Sequence, residues 1–128
     1  MKKKVFAIIA GVILTTSAFA ETWVEQNNCV TGQTDVTTNK RKDCDFWICV
    51  GGDGWRINDD TIKIHKLDGR GSEHRCSLHK RMKTTRNGWW KYIDQVCVNG
   101  HARSNSAGAG GRGRVECKLE AFGEPFSE

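Results

Sequence analysis

Six cysteines, Cys29, Cys44, Cys49, Cys76, Cys97 and Cys117, all lie beyond an N-terminal stretch that reads as an export leader. The stretch opens on Lys2, Lys3 and Lys4 and runs apolar from Val5 to Leu14. It closes on Ala18-Phe19-Ala20, the small-x-small pattern that a signal peptidase accepts before Glu21. An even set of cysteines in a small exported chain predicts disulfides, and predicts a periplasmic or secreted location. No other feature constrains the fold as much, because residues 21–128 make one domain whose core alone stabilises it only marginally. In the chain-entropy model each bridge closing a loop of about 15–25 residues adds roughly 3 kcal/mol. Three such bridges are comparable with the net stability of a typical domain. The apolar run of the leader falls short of the ~20 residues that span a bilayer, and no later stretch approaches that length.

Charge is more informative by position than in sum. The whole chain carries +5. Lys2, Lys3 and Lys4 would leave with the leader, so residues 21–128 hold 17 basic and 15 acidic side chains, a balance of +2. From Glu21 to Ile62 there are four basic and eight acidic residues; from Lys63 to Lys118 there are thirteen basic and four acidic. The second block, which also holds all four histidines, points to an anionic partner.

Period-two patterning dominates the rest. Glu21 to Asp43 is polar, suiting edge strands or an irregular lead-in tied down by Cys29. Phe46 to Val50 is an aromatic and β-branched run ended by Gly51-Gly52-Asp53-Gly54, a strand followed by a turn. Trp55-Arg56-Ile57 resumes as a short strand, and Asn58-Asp59-Asp60 reads as a turn. Thr61 to Leu67 alternates as a half-buried strand, ended by Asp68-Gly69-Arg70-Gly71. Ser72 to Arg86 fits either a short basic helix or a polar strand and loop. Trp89 to Val98 is the strongest strand, with Trp90, Tyr92, Val96 and Val98 on one face and Trp89, Ile93 and Cys97 on the other. Asn99 to Gly113, with five glycines, reads as a long mobile loop, and Val115, Cys117 and Leu119 mark a last strand. The expected fold is mainly β: a small disulfide-stabilised antiparallel sandwich or barrel with at most one short helix. Cys97–Cys117, across the base of the glycine-rich loop, is the first expected pairing. Cys44 and Cys49 are too far apart along a straight strand to bridge each other.

Several constellations bear on chemistry. A ribonuclease-like hydrolase could use His65 and His101 as acid and base with Lys63 or Arg103 beside the phosphate, although nothing in their spacing is diagnostic. A metal set of His74, Cys76, His79 and His65 matches no firm zinc signature, and Cys76 is expected in a disulfide, so neither metal nor cofactor is expected. Gly108, Gly110, Gly111 and Gly113 with Arg112 and Arg114 lack the residues that complete a phosphate-cradling loop. The acidic pairs Asp43/Asp45 and Asp59/Asp60 read as turn formers. Five tryptophans are many for this length; most belong in a core, while Trp55 and Trp89 are the expected exposed stacking rings.

Cys29-Val30-Thr31-Gly32 and Asn58-Asp59-Asp60-Thr61, the latter before an alternating strand, resemble pieces of the Shiga-type toxin B subunit. That family is a small exported β-barrel that binds cell-surface glycolipid as a pentamer. The likeness spans under a tenth of residues 21–128, the intervening stretch is longer here and holds two extra cysteines, and the family's central helix has no counterpart. It implies a glycan-binding role and carries over no site residue.

Together these features lead to an expected non-enzymatic binding protein. Its basic face, Lys80, Arg81, Lys83, Arg86, Arg103, Arg112 and Arg114, would act with Trp55 and Trp89. The expected partner is an anionic polymer, a glycan or an acidic protein outside the cytoplasm, with nucleic acid less favoured. A small hydrolase and an envelope-enzyme inhibitor that inserts its long loop are the alternatives.

Overall fold

The computed structural model describes residues 19–106 and 111–127. The expected leader, residues 1–20, lies almost wholly outside that range, as do Gly108 and Gly110. Strands make up 64 % of the described residues and none is in an α-helix, which places the chain among disulfide-stabilised all-β folds. None of the described residues forms a helix long and apolar enough to cross a membrane.

Seven strands form one curled antiparallel sheet, a half-barrel: β1 (Glu21–Val30), β2 (Asp43–Gly51), β3 (Trp55–Ile57), β4 (Lys63–Arg70), β5 (Glu73–Thr84), β6 (Lys91–Arg103) and β7 (Arg114–Pro125). β7 is flanked by β1 and β4, and β6 by β2 and β5. Short β3 pairs with both central strands, joining Ile57 to Ile93 and to Gly123, and so links two three-stranded layers into one sheet. β4 and β5 are consecutive in sequence yet pair with different central strands, so the turn at Gly71-Ser72 carries the chain from one layer to the other. The alternation read at Val115, Cys117 and Leu119 turns those residues inward, where they meet Val96, Val98, Ile48 and Trp23 in the core.

The disulfides are Cys29–Cys44, Cys49–Cys97 and Cys76–Cys117, and the expected Cys97–Cys117 bridge is not formed. Cys97 sits directly opposite Cys49 in the β2–β6 register, with 4.1 Å between their Cα atoms. Cys117 is fully buried on the inner face of β7, opposite Cys76 on the inner face of β5. One bridge therefore ties β1 to β2, one locks two paired strands, and one fastens the two layers through the core.

Other expectations change as well. β6 does not stop at Val98 but continues to Arg103, because Asp43–Phe46 and Glu73–Cys76 pair with it on both sides. The low apolar content there reflects a small-residue inner row, Gly100 and Ala102, of which Gly100 leaves room for the Phe46 ring. Ser72–Arg86 is mostly strand β5. β4 runs on through Asp68-Gly69-Arg70 after a register shift between Lys66 and Asp68. A second shift in β5–β6, between Arg81 and Met82, leaves Asp94 as a bulge residue and puts Ile93 and Val96 on one face, against a strict alternation. Gly51 makes this bulge feasible: its φ is +83°, and an added Cβ would lie 2.5 Å from the Asp94 carbonyl oxygen. Trp89 and Trp90 precede β6 and belong to the turn that enters it.

Candidate functional site

Five of the thirteen lysines and arginines in the basic block are paired with carboxylates among the described residues. Lys80 Nζ donates to Asp59 Oδ1 at 2.6 Å. Arg81 grips the bulged Asp94 through two bonds, Nε to Oδ1 at 2.8 Å and Nη2 to Oδ2 at 2.5 Å. Lys83 bonds Asp53 and lies 3.4 Å from Asp94. Arg103 Nε donates to Asp43 Oδ1 at 2.8 Å. Arg114 Nε stands 2.9 Å from Asp68 Oδ2 as an ion pair, although the contact is not aligned as a hydrogen bond. Three carboxyls are held below the usual carboxylate range: Asp94 chiefly by its hydrogen bond from Arg81, Asp53 by that from Lys83, and Asp43 by that from Arg103. Five of the seven expected binding cations are thus held in ion pairs: Lys80, Lys83 and Arg103 chiefly with carboxylates of the acidic N-terminal block, Arg81 and Arg114 chiefly with Asp94 and Asp68 of the basic block itself. Arg86, in the β5–β6 turn, and Arg112 are exposed.

The histidines are dispersed. His65 lies on the outward face of β4, 3.0 Å from Glu120. His101 lies on the outward face of β6, with Nδ1 2.9 Å from Asp45 and Nε2 3.5 Å from Glu73. The Cys76–Cys117 bridge turns the inner faces of the two layers toward each other, so these two histidines point away on opposite sides and share no phosphate-sized site. The metal set also comes apart: Cys76 is in a disulfide, His74 turns inward with Ala102 and takes a 2.9 Å hydrogen bond from Lys66, and His79 turns outward beneath Trp47.

The tryptophans divide in a way the sequence did not indicate. Trp55 is half-buried and packs edge-on against Trp23, with ring centroids 5.1 Å apart, so it belongs to the core and not to a stacking surface. Trp89 is 83 % exposed, as expected. Trp90, assigned from sequence to a strand face, instead rims a cleft of about 340 Å³ lined by Arg56, Ile57, Asp59, Met82, Trp90, Lys91, Tyr92 and Ile93. Tyr92 and Phe126 pack at 4.7 Å and Trp90 sits 5.5 Å from Tyr92, forming an aromatic wall. Arg56 lies over two of these rings, 5.3 Å from the Phe126 centroid and 6.0 Å from that of Trp90, while its guanidinium pairs with Glu124. The turn carrying Trp90 is tightly tied. Buried Thr85 accepts from Gly88 N at 2.8 Å and donates its own N–H to Trp90 O at 3.0 Å, and Asn87 Oδ1 accepts from Trp89 N at 3.0 Å. The Asn87-Gly88 turn signal was legible; that it draws both following tryptophans out of the strand was not.

No family model matches the chain, and neither does any characterised protein or solved structure. The chemistry of the cleft is therefore read from its own groups. An aromatic wall offers an apolar face, and Arg56–Glu124 and Lys80–Asp59 beside it present fixed donors and acceptors without a large net charge.

At the far end of the strands a second surface is assembled from three loops. Thr31 N donates to Gly113 O at 2.9 Å, and Gly113 N returns to Thr31 Oγ1 at 2.8 Å. Buried Ser104 joins the same junction: its Oγ takes Lys42 N at 2.8 Å and lies 2.5 Å from Thr34 Oγ1, and its carbonyl takes Ser72 Oγ at 2.8 Å. The described parts of the loop expected to be mobile are thus pinned at both ends. Lys40, Arg41, Lys42, Arg70 and Arg112 are all exposed there.

Proposed function

We propose that the protein is an exported, non-enzymatic binding module that takes a sugar of a glycan-bearing partner into the cleft walled by Trp90 and Tyr92, which Phe126 backs. The single observation that carries this reading is the conjunction at the cleft of exposed ring faces with charged groups held in fixed pairs. Sugars offer an apolar ring face rimmed by hydroxyls, and such a wall complements both parts. The 340 Å³ of the cleft accommodates one or two sugar rings by volume. The export leader and the disulfide framework suit a partner at an envelope or host surface.

The test is a glycan array probed with the oxidised protein, followed by titration of any hit against Trp90→Ala and Met82→Ala, both at exposed positions. Trp90→Ala should weaken binding about tenfold to a hundredfold, as for a buried aromatic anchor, and Met82→Ala by less. An array without hits, or equal affinity of the Trp90→Ala variant, overturns the reading. An RNA-degradation assay addresses the hydrolase alternative; retained activity in both His65→Ala and His101→Ala would place any such chemistry elsewhere.

A further inference from the structure

The three-loop end suggests a second, independent binding surface. We propose that it docks on a lipid bilayer rich in anionic phospholipid headgroups. Lys63, Arg75, Lys91 and Lys118 are spread along the strands without an ion pair among the described residues; at this end four more such cations, Lys40, Arg41, Arg70 and Arg112, come together, and Lys42 lies near Asp35. Lys40 and Arg41 line a concavity of about 520 Å³ together with Asn39 and the Arg103–Asp43 pair, room enough for a headgroup phosphate. The feature that selects a bilayer over a soluble polyanion is Val36. It stands 81 % exposed at the tip of the 31–42 loop, four to six residues from Lys40, Arg41 and Lys42. An apolar tip within a cationic collar matches the layered chemistry of a membrane interface, where headgroup charge overlies hydrocarbon. The tip is also rigid. Asp35 Oδ1 accepts from Thr37 N at 2.8 Å, Asp35 N donates to Lys40 O at 3.0 Å, and Cys29–Cys44 closes the loop at its base. Docking therefore requires little further ordering.

Co-sedimentation of the oxidised protein with vesicles decides this. The vesicles are phosphatidylcholine alone or phosphatidylcholine with about one third phosphatidylglycerol, neither carrying any glycolipid. The protein should pellet with the anionic vesicles only. Each cation removed should weaken partitioning about fivefold, so Arg41→Gln/Arg112→Gln should lose roughly 25-fold. Val36→Asp, at a site too exposed to disturb folding, should also reduce pelleting, and Trp90→Ala should leave it unchanged. Equal pelleting with neutral vesicles overturns the proposal, as does full retention by the double variant. Inorganic polyphosphate added as a soluble competitor separates the remaining case: tight polyphosphate binding with vesicle binding indifferent to Val36→Asp would make this a polyanion site and not a bilayer site. Because the vesicles lack sugars, none of these outcomes depends on the cleft.

Discussion

Asp94 occupies the bulge of β6, 1 % exposed, with Arg81 bonded to both carboxylate oxygens and Lys83 and Asp53 completing the cluster. Arg81 keeps its carboxyl below the ordinary value of 3.8. The stabilisation is therefore fully present above that value and is lost as the pH falls through the lowered one. Asp94→Asn should cost about 1–3 kcal/mol near neutral pH, read by urea titration, and should flatten the acid limb of the stability profile. Arg81→Leu should act in the same sense on that limb. It leaves the buried carboxylate with only the longer contact to Lys83, so its pKa rises toward the unfolded value, stability at neutral pH falls and the acid limb flattens. Nothing in the sequence reveals the partner of Asp94: strict alternation puts it on one face with Tyr92 and Val96, and only the bulge, which comes from pairing with a distant strand, sets it against Arg81. Trp55 was misread for a related reason. Its place after a glycine turn suggested a surface, but β3 lies between both central strands and turns the ring against Trp23.

Stretches with a run of large apolar side chains, β6 as far as Val98 and β7 from Val115 to Leu119, were legible because alternation requires only local sequence. β5 was not, since its twelve residues carry basic side chains on both faces and its strand character comes from pairing with β6 along its length. Disulfide connectivity failed for a similar reason: Cys49 meets Cys97 through a register that joins residues 48 positions apart. Peptide mapping of the oxidised protein should return 29–44, 49–97 and 76–117; a 97–117 peptide would refute the register itself. Replacing Cys76 and Cys117 with alanine should cost about 4 kcal/mol by loop entropy, with a further loss from the gap left by the buried Cys117 sulfur, measured as a lowered denaturation midpoint. β7 has one other sensitive point. A Cβ on Gly123 would come within 2.5 Å of the Trp23 ring, so Gly123→Ala should destabilise by about 1–3 kcal/mol through displacement of that ring.

Along the chain, charge is segregated by sequence into an acidic and a basic block; in the folded molecule Lys40, Arg41, Arg70 and Arg112 cluster at one end of the half-barrel, while several cations near the other end are held in ion pairs. β6 spans thirteen residues, on the order of 40 Å at the usual rise per residue, and it separates the aromatic cleft from the cationic loops. The single basic and aromatic face expected from sequence becomes two distant surfaces, because pairing with Asp53, Asp59 and Asp94 neutralises Lys80, Arg81 and Lys83 near the cleft. Their salt responses should differ accordingly. Raising salt from about 0.05 to 0.5 M should sharply weaken binding at the loop end and leave glycan affinity at the cleft nearly constant, as followed by titration calorimetry. Equal sensitivity at both would show that the pairing near the cleft does not persist in solution.

The direction of the strands has a practical consequence. β1 starts at Glu21 and β7 finishes at Pro125 beside the aromatic wall, to which Phe126 itself contributes. A polypeptide joined beyond Phe126, whether a purification tag or a display anchor, is thus attached at the rim of the cleft; one joined ahead of Glu21 enters at the same end of the sheet, beside Gly123. Measurements on tethered chains would report crowding at that rim together with affinity, whereas the opposite end would remain open. A tag inserted near Gly52-Asp53-Gly54 would share the problem; one carried in the 104–113 loop would exchange it for interference with the cationic surface.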